Sequence, residues 1–402
     1  MIRPRRAARP GVGAVSAARL QRAAAVTVAV LGALAASGFG TALRMARSVV
    51  TPAVRRADTR ILSIDREAGS ITLTTSPDTV LVGRYGLFTA GTPEYLRIGP
   101  VLSTDEDRTV RELQTPVGDQ DSVGEAAAFS GWYYHRPEEL GIAFQSELIP
   151  SAVGPCPAWV FPADGSDVWC ILIHGRGTTR AECLRAVPLL HARGITCLVI
   201  SYRNDGEAPR SRTGRYGLGD TEWRDADAAV GLARRSGAGR ILLMGWSMGG
   251  AIALQVALRS AHRDRIAGIA LDSPVVDWTD VLRYQGARMR LPAAVVSMTL
   301  WVLAAEWGAA MLRMGAPIDF DRLDVVAHAD RLRAPVLIMH SEDDGFVPIA
   351  GSCALAAARP ELIRLERFDT AHHTKLWNYD EDRWRAAIAA WLDEHDLADG
   401  PG

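Results

Sequence analysis

The chain has 402 residues, 48% of them hydrophobic and 23% charged, with a formal net charge of −1. That length exceeds one ordinary domain and supports a substantial core, and the absence of a domain-wide basic excess argues against a nucleic-acid binder. Five cysteines cannot all pair, so no disulfide framework is implied.

Residues 1–22 form an arginine-rich tail carrying Arg3, Arg5, Arg6, Arg9, Arg19 and Arg22. Residues 23–43 then run without a charge. A helix of about 20 residues, rising 1.5 Å per residue, spans the roughly 30 Å hydrocarbon core of a bilayer. The small residues near 35–38 would suit a cleaved signal peptide, but the run is long for one and favours an uncleaved single-pass anchor. Arg44, Arg47, Arg55, Arg56 and Arg60 follow the span. The arginine count therefore leans only slightly towards an internal N-terminus and an external remainder.

Residues 58–124 show short alternating runs such as Ser70-Ile71-Thr72-Leu73-Thr74, punctuated at Ala68-Gly69, Ser76-Pro77 and Gly99-Pro100. This predicts a small, mostly antiparallel β-rich module, and no catalytic constellation is visible in it. From 142 to 397 strand and helix patterns alternate. Strands are expected near 158–161, 170–174, 196–201, 240–245, 266–271, 335–340 and 361–368, with helices near 179–192, 221–235, 248–259, 349–358 and 379–394. That order predicts an α/β domain with a parallel sheet covered on both faces. The interval 277–331 is too long for a simple connection and is expected to be a helical cap. Arg290 and Glu306 bound too few apolar residues for a second span.

The chemistry centres on Gly245-Trp246-Ser247-Met248-Gly249-Gly250, between an expected strand and an expected helix. A serine on so sharp a turn has its hydroxyl pushed above the sheet, and glycines on either side let strand and helix approach. Such a serine needs a base, and the base needs an orienting acid. Downstream, His340-Ser341-Glu342-Asp343-Asp344-Gly345-Phe346-Val347-Pro348 follows one strand and Asp369-Thr370-Ala371-His372-His373 follows the last. Upstream, His174-Gly175-Arg176-Gly177 forms a turn after another strand.

With serine, aspartate and histidine in that order at strand ends, residues 142–397 resemble an α/β-hydrolase-fold serine hydrolase. The chain is similar to serine aminopeptidases, prolyl-oligopeptidase catalytic domains and bacterial esterases. The stretch Tyr216-Gly217-Leu218-Gly219-Asp220-Thr221-Glu222-Trp223-Arg224-Asp225 also resembles membrane-linked actinobacterial hydrolases. The resemblance implies Ser247 as nucleophile, and Met248 and Arg176 as donors of the oxyanion-hole N–H groups, with the Arg176 side chain free to face the pocket. It places the acid four residues after His340, selecting Asp344 over Asp343 and Glu342. The family's Ala-Gly-His pattern is replaced here by Ala371-His372-His373, so either histidine fits. Alignment on Ala371 and Trp377-Asn378 favours His373, leaving His372 at the pocket edge.

Asp272 also ends a strand and is the alternative acid, although a loop-capping role suits it better. His174 and His340 are expected to satisfy backbone groups at strand ends. No metal-ligand spacing and no phosphate-binding motif occurs, so no cofactor and no metal are expected. The function expected is cleavage of a small-molecule ester, an amide or a short peptide by Ser247, His373 and Asp344. A peptidase of the same fold is one rival, and a catalytically silent membrane-tethered binding protein is another, disfavoured by the complete residue set. Because every candidate lies beyond residue 142, a chain beginning near Asp58 is expected to stay active.

Overall fold

The computed structural model describes residues 12–52, 55–91, 95–117 and 123–398. Arg3, Arg5, Arg6 and Arg9 lie outside them. The chain opens with a single helix, α1 (Val12–Val50), longer at both ends than the expected span. Its stretch Arg19–Val50 is long and apolar enough to cross a membrane, and the most apolar part of it is not buried against the protein.

Next comes a closed antiparallel barrel with strands β1 (Thr59–Asp65), β2 (Ser70–Thr74), β3 (Tyr85–Thr89), β4 (Tyr95–Thr104), β5 (Arg108–Leu113) and β6 (Ala126–Ser130). Strand β6, beyond the expected boundary at 124, closes the barrel by pairing Ala127 with Thr59. Alternation along β2 sends Ile71 and Leu73 into a core shared with Leu87, Leu96 and Ile98. Gly99-Pro100, expected as a turn, lies inside β4 where the register with β5 shifts. A bulge there accommodates a proline that cannot donate to the ladder.

The second sheet has eight strands: β7 (Gln145–Ser151), β8 (Gly154–Phe161), β9 (Val168–Ile173), β10 (Thr196–Ile200), β11 (Arg240–Trp246), β12 (Ile266–Asp272), β13 (Val336–Ser341) and β14 (Ile363–Phe368). Their order is β14-β13-β12-β11-β9-β10-β8-β7. The pairs from β10 to β14 are parallel, whereas β8 and β7 run antiparallel at one edge. Edge strand β7 escaped the sequence reading because Ile149 is its one buried residue, so it carries no alternation to detect. Central strands such as β10 are buried throughout, as a sheet covered on both faces requires.

Helices α2 (Val187–Ala192), α3 (Trp223–Arg235) and α4 (Met248–Arg259) follow β9, β10 and β11. The expected helix at 179–192 begins as a 3-10 turn over Arg180–Ala186, and Pro188 stands in the first turn of α2, where a missing N–H costs nothing. The interval after β12 is helical, as expected: α5 (Trp278–Arg288), α6 (Ala293–Ala304), α7 (Glu306–Leu312) and the short α8 (Phe320–Leu323). Helices α6 and α7 meet at 88°, so their apolar residues do not make one straight span. Helix α9 (Ile349–Ala358) follows β13, while α10 (Leu376–Tyr379) and α11 (Glu381–Glu394) follow β14.

The packing ties the hydrolase region to residues before Asp58. Met45, Ala46 and Val50 of α1 belong to the same core as Ile171, Leu198 and Ile252. Tyr216 N–H donates to the Val50 carbonyl (2.8 Å), and the Thr299 hydroxyl of α6 donates to that of Ala42 (3.3 Å). The Tyr216–Asp225 stretch is thus the loop that grips the end of α1. Removing Met45 and Val50 forfeits about 2 kcal/mol for each buried side chain. A chain starting at Asp58 should therefore melt several degrees below the full chain in the same detergent, as read by circular dichroism. Equal melting temperatures would contradict this packing.

Candidate active site

Ser247 connects β11 to α4 with φ 52° and ψ −115°, a region that side chains seldom occupy. The turn holds because its neighbours are glycines. A Cβ on Gly249 would fall inside contact distance of the Ile173 and His174 carbonyl oxygens, and one on Gly245 would strike the Gly249 carbonyl. Ser247 N–H donates to the Asp272 carbonyl (3.0 Å), while the Ser247 carbonyl accepts from Val275 (3.1 Å), tying the bend to the end of β12. Its hydroxyl is aimed at His373, with the residue 5% exposed.

His373 and Asp344 arrive on loops after β14 and β13. The distance from His373 Nε2 to Ser247 Oγ is 2.9 Å, and from His373 Nδ1 to an Asp344 carboxylate oxygen 2.7 Å. The other Asp344 oxygen accepts from the N–H groups of Phe346 and Val347, both at 2.8 Å. Burial acts to raise the Asp344 pKa, but His373 and His340 beside it outweigh that and hold the carboxyl well below the usual range. The Phe346 ring lies 5.1 Å from the His373 ring, centroid to centroid.

Met248 is the first residue of α4, whose leading N–H has no intrahelical acceptor. Arg176 follows Gly175, and a Cβ at Gly175 would stand 3.4 Å from the Ser247 Cβ. Met248 thus adjoins the serine in sequence, and the turn carrying Gly175 approaches it closely. The Arg176 side chain departs from the expectation that it is free. Its Nε donates to the Val49 carbonyl (3.0 Å) and its Nη2 to those of Ser48 (2.5 Å) and Thr51 (2.9 Å). The last carbonyls of α1 have no partner within the helix, and a guanidinium at that negative end satisfies two of them together with that of Thr51 just beyond.

Asp272 is engaged elsewhere: it is fully buried, accepting from Trp384 Nε1 (3.0 Å) and the Ser273 hydroxyl (3.1 Å), and burial raises its pKa. His174 bonds the Gly175 carbonyl and Asp205, and His340 bonds Ser352 and the Val347 carbonyl, so both serve local structure as expected. Among the described residues no group of three or more His, Cys, Asp or Glu side chains is disposed to hold a metal.

Sequence reasoning missed a second layer that fixes the loops. Glu182 accepts from Gly175 N–H (2.8 Å) and the Thr178 hydroxyl (2.9 Å), holding the His-Gly turn. Buried Arg185 donates to the Thr374 carbonyl, next to His373, and to Asn378 Oδ1, both at 2.8 Å. Asn378 in turn donates to the Arg84 carbonyl of the barrel (2.8 Å). Inside the barrel, buried Arg111 donates to the carbonyls of Thr79 (2.9 Å), Leu81 (2.7 Å) and Gly83 (2.7 Å), which fixes the loop beside Asp78. No motif announces these residues; Glu182, Arg185 and Arg111 act within one region, and Asn378 acquires its role where the histidine loop meets the barrel.

Asp78 reaches His372 Nδ1 (2.5 Å) and Lys375 Nζ (2.9 Å), so the barrel borders the catalytic histidine loop. His372 is therefore the latch to the barrel. Burial acts to raise the Asp78 pKa, but His372 and Lys375 bring it down to about 2. The folded value lies below the ordinary one, so this carboxylate stabilises the protein above about pH 4, and the contribution fades as pH falls towards 2. With 33% of its side chain exposed, solvent screening keeps the contribution to about 1 kcal/mol. Asp78→Asn should lower the melting temperature by about 2 °C at pH 7. The gap should close between about pH 4 and pH 2, and a pH-independent gap would contradict the ion pair.

Residues 60–130 match a family described as a domain of unknown function. No curated protein matches the chain. Among solved structures, an esterase from Pyrococcus furiosus is similar with a TM-score of 0.50 and 19% identity, over 65% of this chain and 94% of that one. A thermophilic esterase from the Planctomycetes species Thermogutta terrifontis gives a TM-score of 0.47 and 18% identity, over 64% and 95%. At such identities the likeness is one of fold. Residues 170–391, more than half of the sequence and enclosing Ser247, Asp344 and His373, match the alpha/beta hydrolase family, to which this chain belongs.

Proposed function

We propose that this serine hydrolase is membrane-anchored and cleaves a carboxylic ester, with Ser247 as nucleophile, His373 as base and Asp344 as the orienting acid. The observation that carries the reading is the continuous hydrogen-bonded path from Ser247 Oγ through His373 to Asp344, at 2.9 and 2.7 Å. His373 Nε2 takes the hydroxyl proton as Oγ attacks the ester carbonyl carbon. The oxyanion forms beside the N–H groups of Met248 and Arg176, donors that are in place before the reaction begins. The tetrahedral intermediate then collapses, His373 protonates the departing alcohol oxygen, and an acyl-Ser247 remains. Water, deprotonated by the same nitrogen, repeats the addition and releases the acid. Asp344, held ionised, fixes the imidazole tautomer and stabilises the imidazolium formed at each step.

Esters are favoured over amides because the Pyrococcus furiosus structure to which the fold is similar is an esterase. The apolar α1 supports anchoring, and the slight arginine bias favours a hydrolase on the outer side.

A fluorophosphonate probe should label the full chain covalently, and Ser247→Ala should abolish labelling. Asp344→Asn should cut kcat on a short ester about 10⁴-fold. His373→Ala should cost at least as much, against less than about tenfold for His372→Ala. A severe His372→Ala with a mild His373→Ala would move the base by one residue, and an unlabelled wild type would favour a silent binding protein. Protease added to intact cells should degrade the hydrolase domain, whereas protection would reverse the topology.

A further inference from the structure

Helix α1 changes surroundings along its length. Leu20, Val26, Val28, Leu31 and Leu34 are all more than half exposed, whereas Ala42, Met45, Ala46 and Val50 are buried in the protein. Between these stretches Phe39 stacks on Trp307 (6.2 Å between centroids), and Trp307 packs on Trp301 (4.8 Å). Trp301 is nonetheless 59% exposed, Trp307 38% and Met311 51%. The exposed apolar surface of α1 therefore continues without a break onto α6 and α7. Tryptophans beside the end of an apolar span suit the headgroup region of a bilayer. The first charges after the span, Arg44 and Arg47, are exposed in the next turns. At 1.5 Å per residue, Met45 lies only about 9 Å along the axis from Phe39.

At that level a cavity of about 620 Å³ opens, lined mostly by apolar side chains such as Met45, Val49, Leu282 and Phe346, with Arg56, Arg176 and Gln285 among them. That volume is ordinary for a small-molecule site. Phe346 also lines a second cavity of about 510 Å³, shared with Asp78, Asp343, His373 and Lys375 on the barrel side. Phe346, whose ring packs against the His373 ring, thus separates an apolar space bounded by the anchor from a charged space bounded by the barrel.

We propose that the apolar cavity between α1 and α5 holds the acyl chain of an amphiphilic ester drawn directly from the bilayer, with the leaving group on the barrel side. The last turns of α1 are then a wall of the acyl site as well as the end of the anchor. This inference rests on the serine-hydrolase reading given above.

The test uses the full chain reconstituted in phosphatidylcholine vesicles with p-nitrophenyl acetate and p-nitrophenyl palmitate. Val49→Trp and Leu282→Trp should each lower the palmitate-to-acetate ratio of kcat/KM at least tenfold while fluorophosphonate labelling is retained. If either variant loses labelling, Ser48→Phe at the exposed rim of the same cavity takes its place. Palmitate ester in the enzyme's own vesicles should be cleaved at least tenfold faster than the same ester confined to separate vesicles. An unchanged ratio in labelled variants overturns the acyl site, and equal rates in the two vesicle arrangements overturn delivery from the bilayer. A wild type that is not labelled at all overturns the hydrolase reading, and this inference with it.

Discussion

The backbone of Ser247 is the constraint around which the rest of the site is arranged. A non-glycine residue at φ 52° and ψ −115° costs on the order of 1–3 kcal/mol and persists only where its surroundings over-determine it. Here the ends of three adjacent strands do so. β11 delivers the serine, β9 presents carbonyls to Gly249, and β12 exchanges hydrogen bonds with the bend. The strand order reverses at β9 and β11, where an open parallel sheet leaves a crevice at its carboxyl end. The Thr374 N–H bonds the Ser273 hydroxyl (3.1 Å), so the histidine loop is referenced to the same strand end as the serine.

This explains what could be read from the sequence. Glycines flanking a serine, an acid four residues beyond His340 and a histidine after the last strand all sit on local turns whose residue types carry the geometry. The barrel was visible in its alternation up to 124. Its closing strand Ala126–Ser130, with three consecutive buried residues, shows no such pattern. The supporting polar layer was not legible for a different reason. Arg185, Asn378 and Asp78 find partners roughly 200 to 300 residues away only after the chain has folded, and Glu182, whose partners Gly175 and Thr178 are close in sequence, belongs to no motif that marks it. The buried end of α1 was hidden because Met45, Ala46 and Val50 look like the tail of an apolar span whether or not a core surrounds them.

Three buried or part-buried arginines have a shared structural use. Arg111, Arg176 and Arg185 are each bonded to backbone carbonyls: in the barrel, at the end of α1 and beside the catalytic histidine. A planar fork with five donors can span two to four carbonyls at once, which a lysine ammonium on a flexible stem does less well. Burial pulls the Arg111 pKa down to about 10, still far above neutrality, so the charge survives without a carboxylate partner. Of these three side chains Arg176 ties the end of α1 to the sheet, Arg111 braces the barrel from within, and Arg185 holds Asn378, whose amide reaches the Arg84 carbonyl beside the barrel.

That joining bears on how an anchor can matter to catalysis. A flexible tether would let the hydrolase take any orientation on the membrane. Helix α1 instead runs from Val12 to Val50, entering the hydrolase core without a break. In such a helix each residue fixes both a rise of 1.5 Å and a rotation of about 100°. The depth of Trp301 and Trp307, the face of α1 turned to lipid and the position of Met45 in the cavity wall are therefore set together. One residue inserted between Leu34 and Phe39 would turn the exposed face of the span by about 100° relative to the cap. On the proposed anchoring and acyl site, membrane depth and acyl-site geometry are consequences of the same helical register.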